Sequence, residues 1–229
     1  MHGRIKILGV ALVAALALAA LGASAAQAAF VGVVTKGGAT YEGTVELTGE
    51  QVEGNAVFTI DGSSIECNSG NTSATGKDGE TRGKMHPTYE GCNAFGFIGA
   101  TVATTGCNLE AMATEETSAG VFAGELNVVC ETGKQIQINA GSGTCVASVG
   151  SQTITAGIKA TNATAEGKMQ VKLDGTQSPV ATVKNQDGFG CPFNGTGATT
   201  GNMTAHITVK AYSGTPHNLE NQLDGTISP

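Results

Sequence analysis

Apolar and polar residues alternate along most of the chain after residue 29, with a period of two. Alternation of this kind places apolar side chains on one face of a β-strand and polar side chains on the other. No segment repeats apolar residues at the spacing of an amphipathic helix. The pattern predicts an all-β protein with strands over residues 30–34, 56–60, 97–102, 107–112, 121–130, 135–138, 145–149, 153–160, 169–173, 180–183 and 203–212.

Turn residues separate the predicted strands. Asp-Gly pairs begin at Asp61, Asp78, Asp174 and Asp187, and this dipeptide favours the tight turns of β-hairpins. Short strands with turns about every 8–12 residues are typical of a β-sandwich. We therefore expect an antiparallel β-sandwich held by disulfides. A β-barrel and two small tandem β-sandwiches are the alternatives.

The chain divides into three predicted parts. Residues 1–28 form a signal peptide, residues 29–212 a secreted β domain, and residues 213–229 a poorly ordered C-terminal tail. Within the domain, the polar, Gly/Ser/Thr-rich residues 68–83 predict a long surface loop.

The signal peptide is indicated by three features. Arg4 and Lys6 supply the positive start, residues 7–21 are apolar, and residues 26–28 form an A-x-A cleavage site. The apolar run is shorter than the roughly 20 residues that span a bilayer. Cleavage removes two of the 12 basic residues and none of the 19 acidic ones, so the net charge of the mature chain is −9. We expect a secreted protein without a membrane span.

Six cysteines follow the signal peptide, and an even number in a secreted chain indicates disulfides. No C-x-x-C motif occurs and no histidine lies close to a cysteine, which argues against zinc. If Cys107 faces Cys130 in a hairpin, Leu109 faces Val128 and Ala111 faces Leu126, so that one register gives both an apolar face and a bridge. The other two bridges, Cys67–Cys92 and Cys145–Cys191, follow by elimination. The predicted disulfide residues are Cys67, Cys92, Cys107, Cys130, Cys145 and Cys191.

Composition and motifs offer little catalytic chemistry. Few basic residues and a negative charge argue against nucleic-acid binding. No G-x-S-x-G motif occurs, and we interpret the three later histidines, the Glu115-Glu116 pair and the Asp-Gly pairs as surface or turn residues. We predict no catalytic residues, no metal site and no cofactor. The histidines considered are His86, His206 and His217.

The aromatic residues do not form a sugar-stacking pattern, because tryptophan is absent and the tyrosines are scattered. Most phenylalanines are interpreted as core residues or as residues that anchor loops. Residues 188–193 form the densest aromatic cluster, which lies beside a cysteine and is expected to plug one end of the sandwich. The phenylalanines considered are Phe95, Phe97, Phe189 and Phe193.

The residues around the cysteines resemble those of a group of secreted, Thr/Gly-rich, six-cysteine β proteins of soil actinobacteria. The resemblance covers roughly residues 30–210 and implies a secreted β protein, but it brings no activity with it. The segments that carry it are 65–67, 89–92, 105–107, 128–130, 143–145 and 187–193.

Together these features predict a secreted, non-enzymatic β protein that binds or coats an extracellular or cell-surface partner. A protein that binds a small apolar ligand is the first alternative, and an extracellular hydrolase is the second. An apolar void of about 300 Å³ or more would favour the ligand-binding alternative.

Overall fold

The computed structural model describes residues 30–141, 145–185, 191, 193 and 197–228. The predicted signal peptide lies outside these residues. The described chain contains strands and turns and no helix, as alternating Val, Thr and Ile residues favour. The strands are β1 (Val31–Lys36), β2 (Ala39–Thr40), β3 (Val45–Gln51), β4 (Ala56–Ile60), β5 (Ser63–Gly76), β6 (Gly83–Ala94), β7 (Ile98–Ala103), β8 (Cys107–Ser118), β9 (Val121–Cys130), β10 (Ile136–Ala140), β11 (Cys145–Val149), β12 (Gln152–Ala165), β13 (Lys168–Gln177), β14 (Val180–Asn185), β15 (Gly197–Tyr212) and β16 (Gln222–Ser228).

The described strands join in one antiparallel sheet, and their pairings close into two rings. Ring A runs through β3, β5, β6, β8, β9, β12, β13 and β15, and then returns to β3. Ring B runs through β4, β5, β6, β7, β10, β11, β14 and β15, and then returns to β4. Because β5, β6 and β15 belong to both rings, the described strands do not form two separate tandem sandwiches.

The buried hydrophobic residues that the structure describes form two clusters, and the larger one lies between the apolar sheet faces of both rings. The larger cluster contains Leu126 and Ile154 from ring A together with Ile138 and Val183 from ring B, and Phe193 is fully buried within it. The smaller cluster consists of Val34, Val45, Ala211 and Leu223. Facing sheet surfaces that share a core are the basis of β-sandwich packing. The prediction of an all-β, antiparallel, sandwich-like fold with disulfides is confirmed.

The hairpin of β8 and β9 has the predicted register. Cys107 faces Cys130, Leu109 faces Val128, and Ala111 faces Leu126. The Cα atoms of Cys107 and Cys130 are 4.0 Å apart, and their side chains form a disulfide. The predicted pairing is confirmed.

The two bridges inferred by elimination are also present. Cys67 and Cys92 face each other across β5 and β6, with Cα atoms 3.9 Å apart. Cys145 at the start of β11 is joined to Cys191, with Cα atoms 5.3 Å apart. No described cysteine is free. Two bridges therefore link neighbouring strands, and the third ties the segment around residue 191 to the core.

The predicted surface loop over residues 68–83 is wrong for most of its length. Strand β5 continues to Gly76, and only residues 77–82 connect it to β6. Thr72 and Ala74 of β5 are buried, whereas Asn71 and Ser73 are exposed. The segment keeps strand alternation, but its inward residues are small or hydroxylated, which weakens the apolar signal.

The predicted disordered tail is also wrong. Strand β16 pairs with β1 along five residues and with the end of β15 at Ala211 and Tyr212. Leu223 of this strand is completely buried. Its partner β1 lies near the start of the described chain, so the two ends of the domain meet in one small antiparallel sheet.

Candidate functional site

An apolar cavity of about 170 Å³ opens inside ring A. Each of the eight ring strands contributes to its wall, and β1 and β16 lie across it. An eight-stranded closed sheet encloses a space that side chains fill or that holds one small ligand. The wall residues that come from the ring are Val45, Leu47, Gly76, Gly83, Met85, Ala111, Met112, Ala113, Gly124, Ala160, Val171, Leu173, Val209, Lys210 and Ala211.

Small residues on three neighbouring strands leave this space empty. Ala113 of β8 faces Gly124 of β9, and Ala160 lies on the adjacent β12. A Cβ added to Gly124 would lie 2.7 Å from the Met112 carbonyl oxygen, closer than such atoms approach, so the backbone itself requires glycine here. Protein interiors are otherwise close-packed. The small residues on β8, β9 and β12 therefore explain why side chains do not fill the cavity at this part of its wall.

The segment of residues 77–82, which we call the rim loop, is fastened to β1 beside the cavity. The Val34 N–H donates to Asp78 Oδ1 at 2.7 Å. The Gly32 N–H donates to the Glu80 carbonyl oxygen at 2.8 Å, and the Gly79 N–H donates to the Gly32 carbonyl oxygen at 2.8 Å. These bonds hold the loop at the edge of the cavity.

Strand β16 is fastened to the ring by side chains as well as by strand pairing. Asn162 Nδ2 donates to the Ile227 carbonyl oxygen, and the Ile227 N–H donates to Asn162 Oδ1, each at 2.9 Å. The Met169 N–H donates to Asp224 Oδ1 at 2.9 Å, and Lys168 lies 3.8 Å from the same carboxylate. The cover of the cavity is therefore held mainly by Asn162 and Asp224.

Charged residues of the rim loop surround the otherwise apolar wall. Lys77, Glu80 and Arg82 line the cavity and are exposed. Neither Lys77 nor Arg82 forms a side-chain hydrogen bond or an ion pair with any residue that the structure describes. The Glu80 carboxylate lies over Gly76, where an added Cβ would be 3.0 Å from Oε2. The cavity thus combines a mainly apolar interior with two unpaired cations on the rim loop and a third cation, Lys210 of β15, in its wall.

A second recess of about 280 Å³ is polar and lies on the surface. His86, Thr104 and Glu131 are among its lining residues. The Thr104 hydroxyl donates to the Pro87 carbonyl oxygen at 2.7 Å, which engages the one proton that it could give to a base. This recess therefore brings an imidazole and a carboxylate to one region, with Thr104 already hydrogen-bonded.

The other two histidines considered in the sequence, His206 of β15 and His217 in the connection after it, each lie beside a carboxylate. His206 Nδ1 lies 2.9 Å from Asp174 Oδ1, and His217 Nε2 lies 2.7 Å from Glu46 Oε2. Both pairs are more than a third exposed. Pairs of this kind contribute little stability because water screens them, and they lie among strand and loop residues outside the apolar cavity.

The carboxylates have structural partners. Glu116 Oε1 accepts the Gly120 N–H at the turn after β8, and its neighbour Glu115 is exposed. Among the described residues no group of three or more His, Cys, Asp or Glu side chains is arranged to hold a metal ion. Asp187 and Phe189 lie outside the described residues.

The aromatic residues divide between core and surface. Phe193 is buried, as expected of a core residue, whereas Phe95 and Phe97 at the β6–β7 turn are 54% and 80% exposed. Of the two roles expected for them, core residue or loop anchor, the core role is therefore excluded for Phe95 and Phe97. Phe58 packs edge-on against Tyr89 with ring centroids 5.0 Å apart. Tyr89 is partly buried and packs against the core, and this burial raises the pKa of its hydroxyl.

The sequence did not predict the cavity, because its wall is formed by strands that are distant along the chain. A signal was present in the small residues of β8, β9 and β12, since alternation there places Ala and Gly where larger apolar side chains are expected. Without the pairing of β3, β13 and β15 that signal cannot be assigned to a void.

The fold and the cavity define a disulfide-linked all-β protein with an apolar site at one end. Comparisons with family models, with curated proteins and with solved structures gave no match to the chain. In the described part of the chain no helix is long and apolar enough to cross a membrane. The functional conclusion must therefore be argued from the site.

Proposed function

We propose that this chain is an exported, non-enzymatic binding protein that holds a small apolar compound inside ring A. The observation that carries the proposal is the open cavity, whose wall is built from Val, Leu, Met, Ala and Gly residues of all eight ring strands. Ligand sites are concave and mainly apolar, with a few polar groups at the edge, and the rim loop provides those groups.

The size of the cavity limits the ligand. At about 170 Å³ it falls short of the criterion of roughly 300 Å³ for a ligand-binding protein, which is the lower end for pockets that hold drug-sized molecules, so the proposal is confined to smaller ligands. An engineered protein cavity of about 150 Å³ binds benzene. A compound of one ring or a short alkyl chain is therefore the size class that fits.

Export is part of the proposal and has two supports. The first 28 residues have the pattern of a cleavable signal peptide, and three intramolecular disulfides are compatible with an oxidising, extracellular location. The cysteine contexts shared with secreted six-cysteine β proteins of soil actinobacteria point the same way.

Toluene binding tests the proposed cavity. We expect toluene to shift the methyl NMR signals of cavity residues such as Leu47 and Val171 in the exported protein. Ala160→Leu places three further carbon atoms in the void and should weaken toluene binding at least tenfold. Because the new side chain fills empty space, the free energy of unfolding should rise or stay unchanged. The exposed Ala103→Leu change on β7 is the matched control.

Two results would contradict the proposal. Toluene could leave all cavity methyl signals unmoved, or it could bind Ala160→Leu as well as it binds the unaltered protein. Ala113→Leu, a second change in the cavity wall, serves if Ala160→Leu fails to fold.

Intact mass of the exported protein tests export separately, since it should give a chain that begins near Ala29 and holds no free thiol.

A further inference from the structure

We infer that the cavity in ring A selects an amphipathic anion, with an apolar body inside the ring and a carboxylate held at the rim loop by Arg82. This inference rests on the proposed function and adds the chemical class of the ligand. Charge complementarity at the edge of the cavity is the argument for it.

Cations are scarce in this protein, and three of them line the cavity: Lys77 and Arg82 on the rim loop and Lys210 on β15. The sequence has 12 Lys and Arg residues against 19 Asp and Glu residues. Lys77 and Arg82 lie five residues apart on the rim loop, and both line the cavity. A negatively charged protein that places unpaired cations around an apolar hole attracts anionic ligands there more than elsewhere on its surface.

Arg82 is a better anchor for a carboxylate than Lys77 or Lys210. Its guanidinium offers five N–H donors in a fixed fork that matches a carboxylate, whereas a lysine ammonium is a flexible point charge. Among the described residues no acceptor engages the Arg82 side chain, so binding a carboxylate there breaks no existing protein contact.

Of the two acidic residues of the rim loop, only Asp78 has a side-chain hydrogen bond among the described residues. Asp78 Oδ1 accepts the Val34 N–H, and the Glu80 carboxylate lies over Gly76. Glu80 is still the one carboxylate among the cavity-lining residues, so a ligand with an ammonium group is the competing class. The experiment therefore compares three probes of one size.

Benzoate, toluene and benzylamine are the probes, titrated at pH 7.5 into the exported protein and followed by methyl NMR. We expect benzoate to bind about threefold to fivefold more tightly than toluene, the gain that one partly exposed ion pair provides. This advantage should shrink in 1 M salt, because added salt screens exposed charges. Benzylamine should bind more weakly than toluene.

Arg82→Gln should remove the advantage of benzoate and leave toluene binding unchanged. Lys84→Gln is the matched control, since it removes the same charge from an exposed residue two positions away that does not line the cavity. It should leave the ratio of benzoate to toluene affinity within about twofold of the original.

The outcomes separate the inference from the function on which it rests. If no probe binds, both fail. If toluene binds while benzoate binds no better, or while Arg82→Gln leaves benzoate unaffected, the anion inference is overturned and the apolar site stands. Tighter binding of benzylamine would also overturn it and would identify Glu80 as the anchoring residue.

Discussion

At the scale of single residues, phenylalanine has two different roles in this protein. Phe122 is 1% exposed and packs edge-on against Phe30, with ring centroids 5.3 Å apart. Phe97 is 80% exposed at a tight turn. Alternation in the sequence marks both as apolar strand residues, so only the fold reveals which one is buried.

This contrast gives a stability prediction. Phe122→Ala should lower the free energy of unfolding by about 3–5 kcal/mol, because it removes a large buried side chain and leaves a void. Phe97→Ala should change it by no more than about 0.5 kcal/mol, as is usual for exposed positions. Urea unfolding followed by far-UV circular dichroism measures both, since tryptophan fluorescence is absent. Equal losses for the two variants would show that the assignment of core and surface is wrong.

Residue patterns were informative where apolar side chains are large. In β8 and β9, Leu109, Leu126 and Val128 alternate with polar residues, and the cysteines fit the same register. The hairpin was therefore predictable in detail. The Asp-Gly pairs at Asp61 and Asp174 both predicted a turn. Asp61 lies in a turn, but Asp174 lies inside strand β13, so the second prediction is wrong.

At the scale of elements, the sequence was least informative about long polar strands. β5 has fourteen residues, and its buried positions include Ser63, Thr72 and Ala74. Its neighbour β6 runs through a proline at Pro87, which is buried. Such segments form strands because neighbours on both sides supply hydrogen-bond partners, and tertiary pairing of that kind overrides a weak local preference.

β16 is the element whose attachment is most easily tested. Asn162→Ala removes two hydrogen bonds to the backbone of Ile227 and leaves both backbone groups without that partner. We expect a loss of about 1–3 kcal/mol, with faster hydrogen exchange of the β16 and β1 amides than of the ring strands.

The matched control is Asn71→Ala, since Asn71 is exposed on β5 and its side chain makes no hydrogen bond with a described residue. Its exchange pattern should match that of the unaltered protein. Unchanged protection of β16 in Asn162→Ala would contradict the role given to Asn162.

At the scale of the whole molecule, the bridges supply a large part of the stability. Each disulfide is expected to contribute about 2–4 kcal/mol, and the stability of a whole domain is only about 5–15 kcal/mol. We therefore predict that the protein, once unfolded, reduced and alkylated, does not recover its strand signal in circular dichroism. The control is the same unfolding and refolding cycle without reductant, which should restore it. A reduced chain that regained the signal would disprove this dependence.

The closure of the rings could not be predicted from the sequence. β15 pairs with β3, β4, β13, β14 and β16, and the paired residues Tyr212 and Glu46 are 166 positions apart along the chain. Periodicity reports which face of a strand is apolar, but it does not report which strand will lie beside it. The disulfide-linked hairpin was accessible from sequence, whereas the cavity depends on these distant pairings.

The position of β15 near the end of the chain determines when the protein can be completed. Synthesis proceeds from the N-terminus, so β3, β4, β13 and β14 are all made before the strand that joins them exists. Until then their unsatisfied edges are available to other chains, which is a known hazard for β proteins. A nascent chain that ends before residue 197 already contains the apolar faces of the earlier strands. It lacks β15, so neither ring can close and those faces stay exposed.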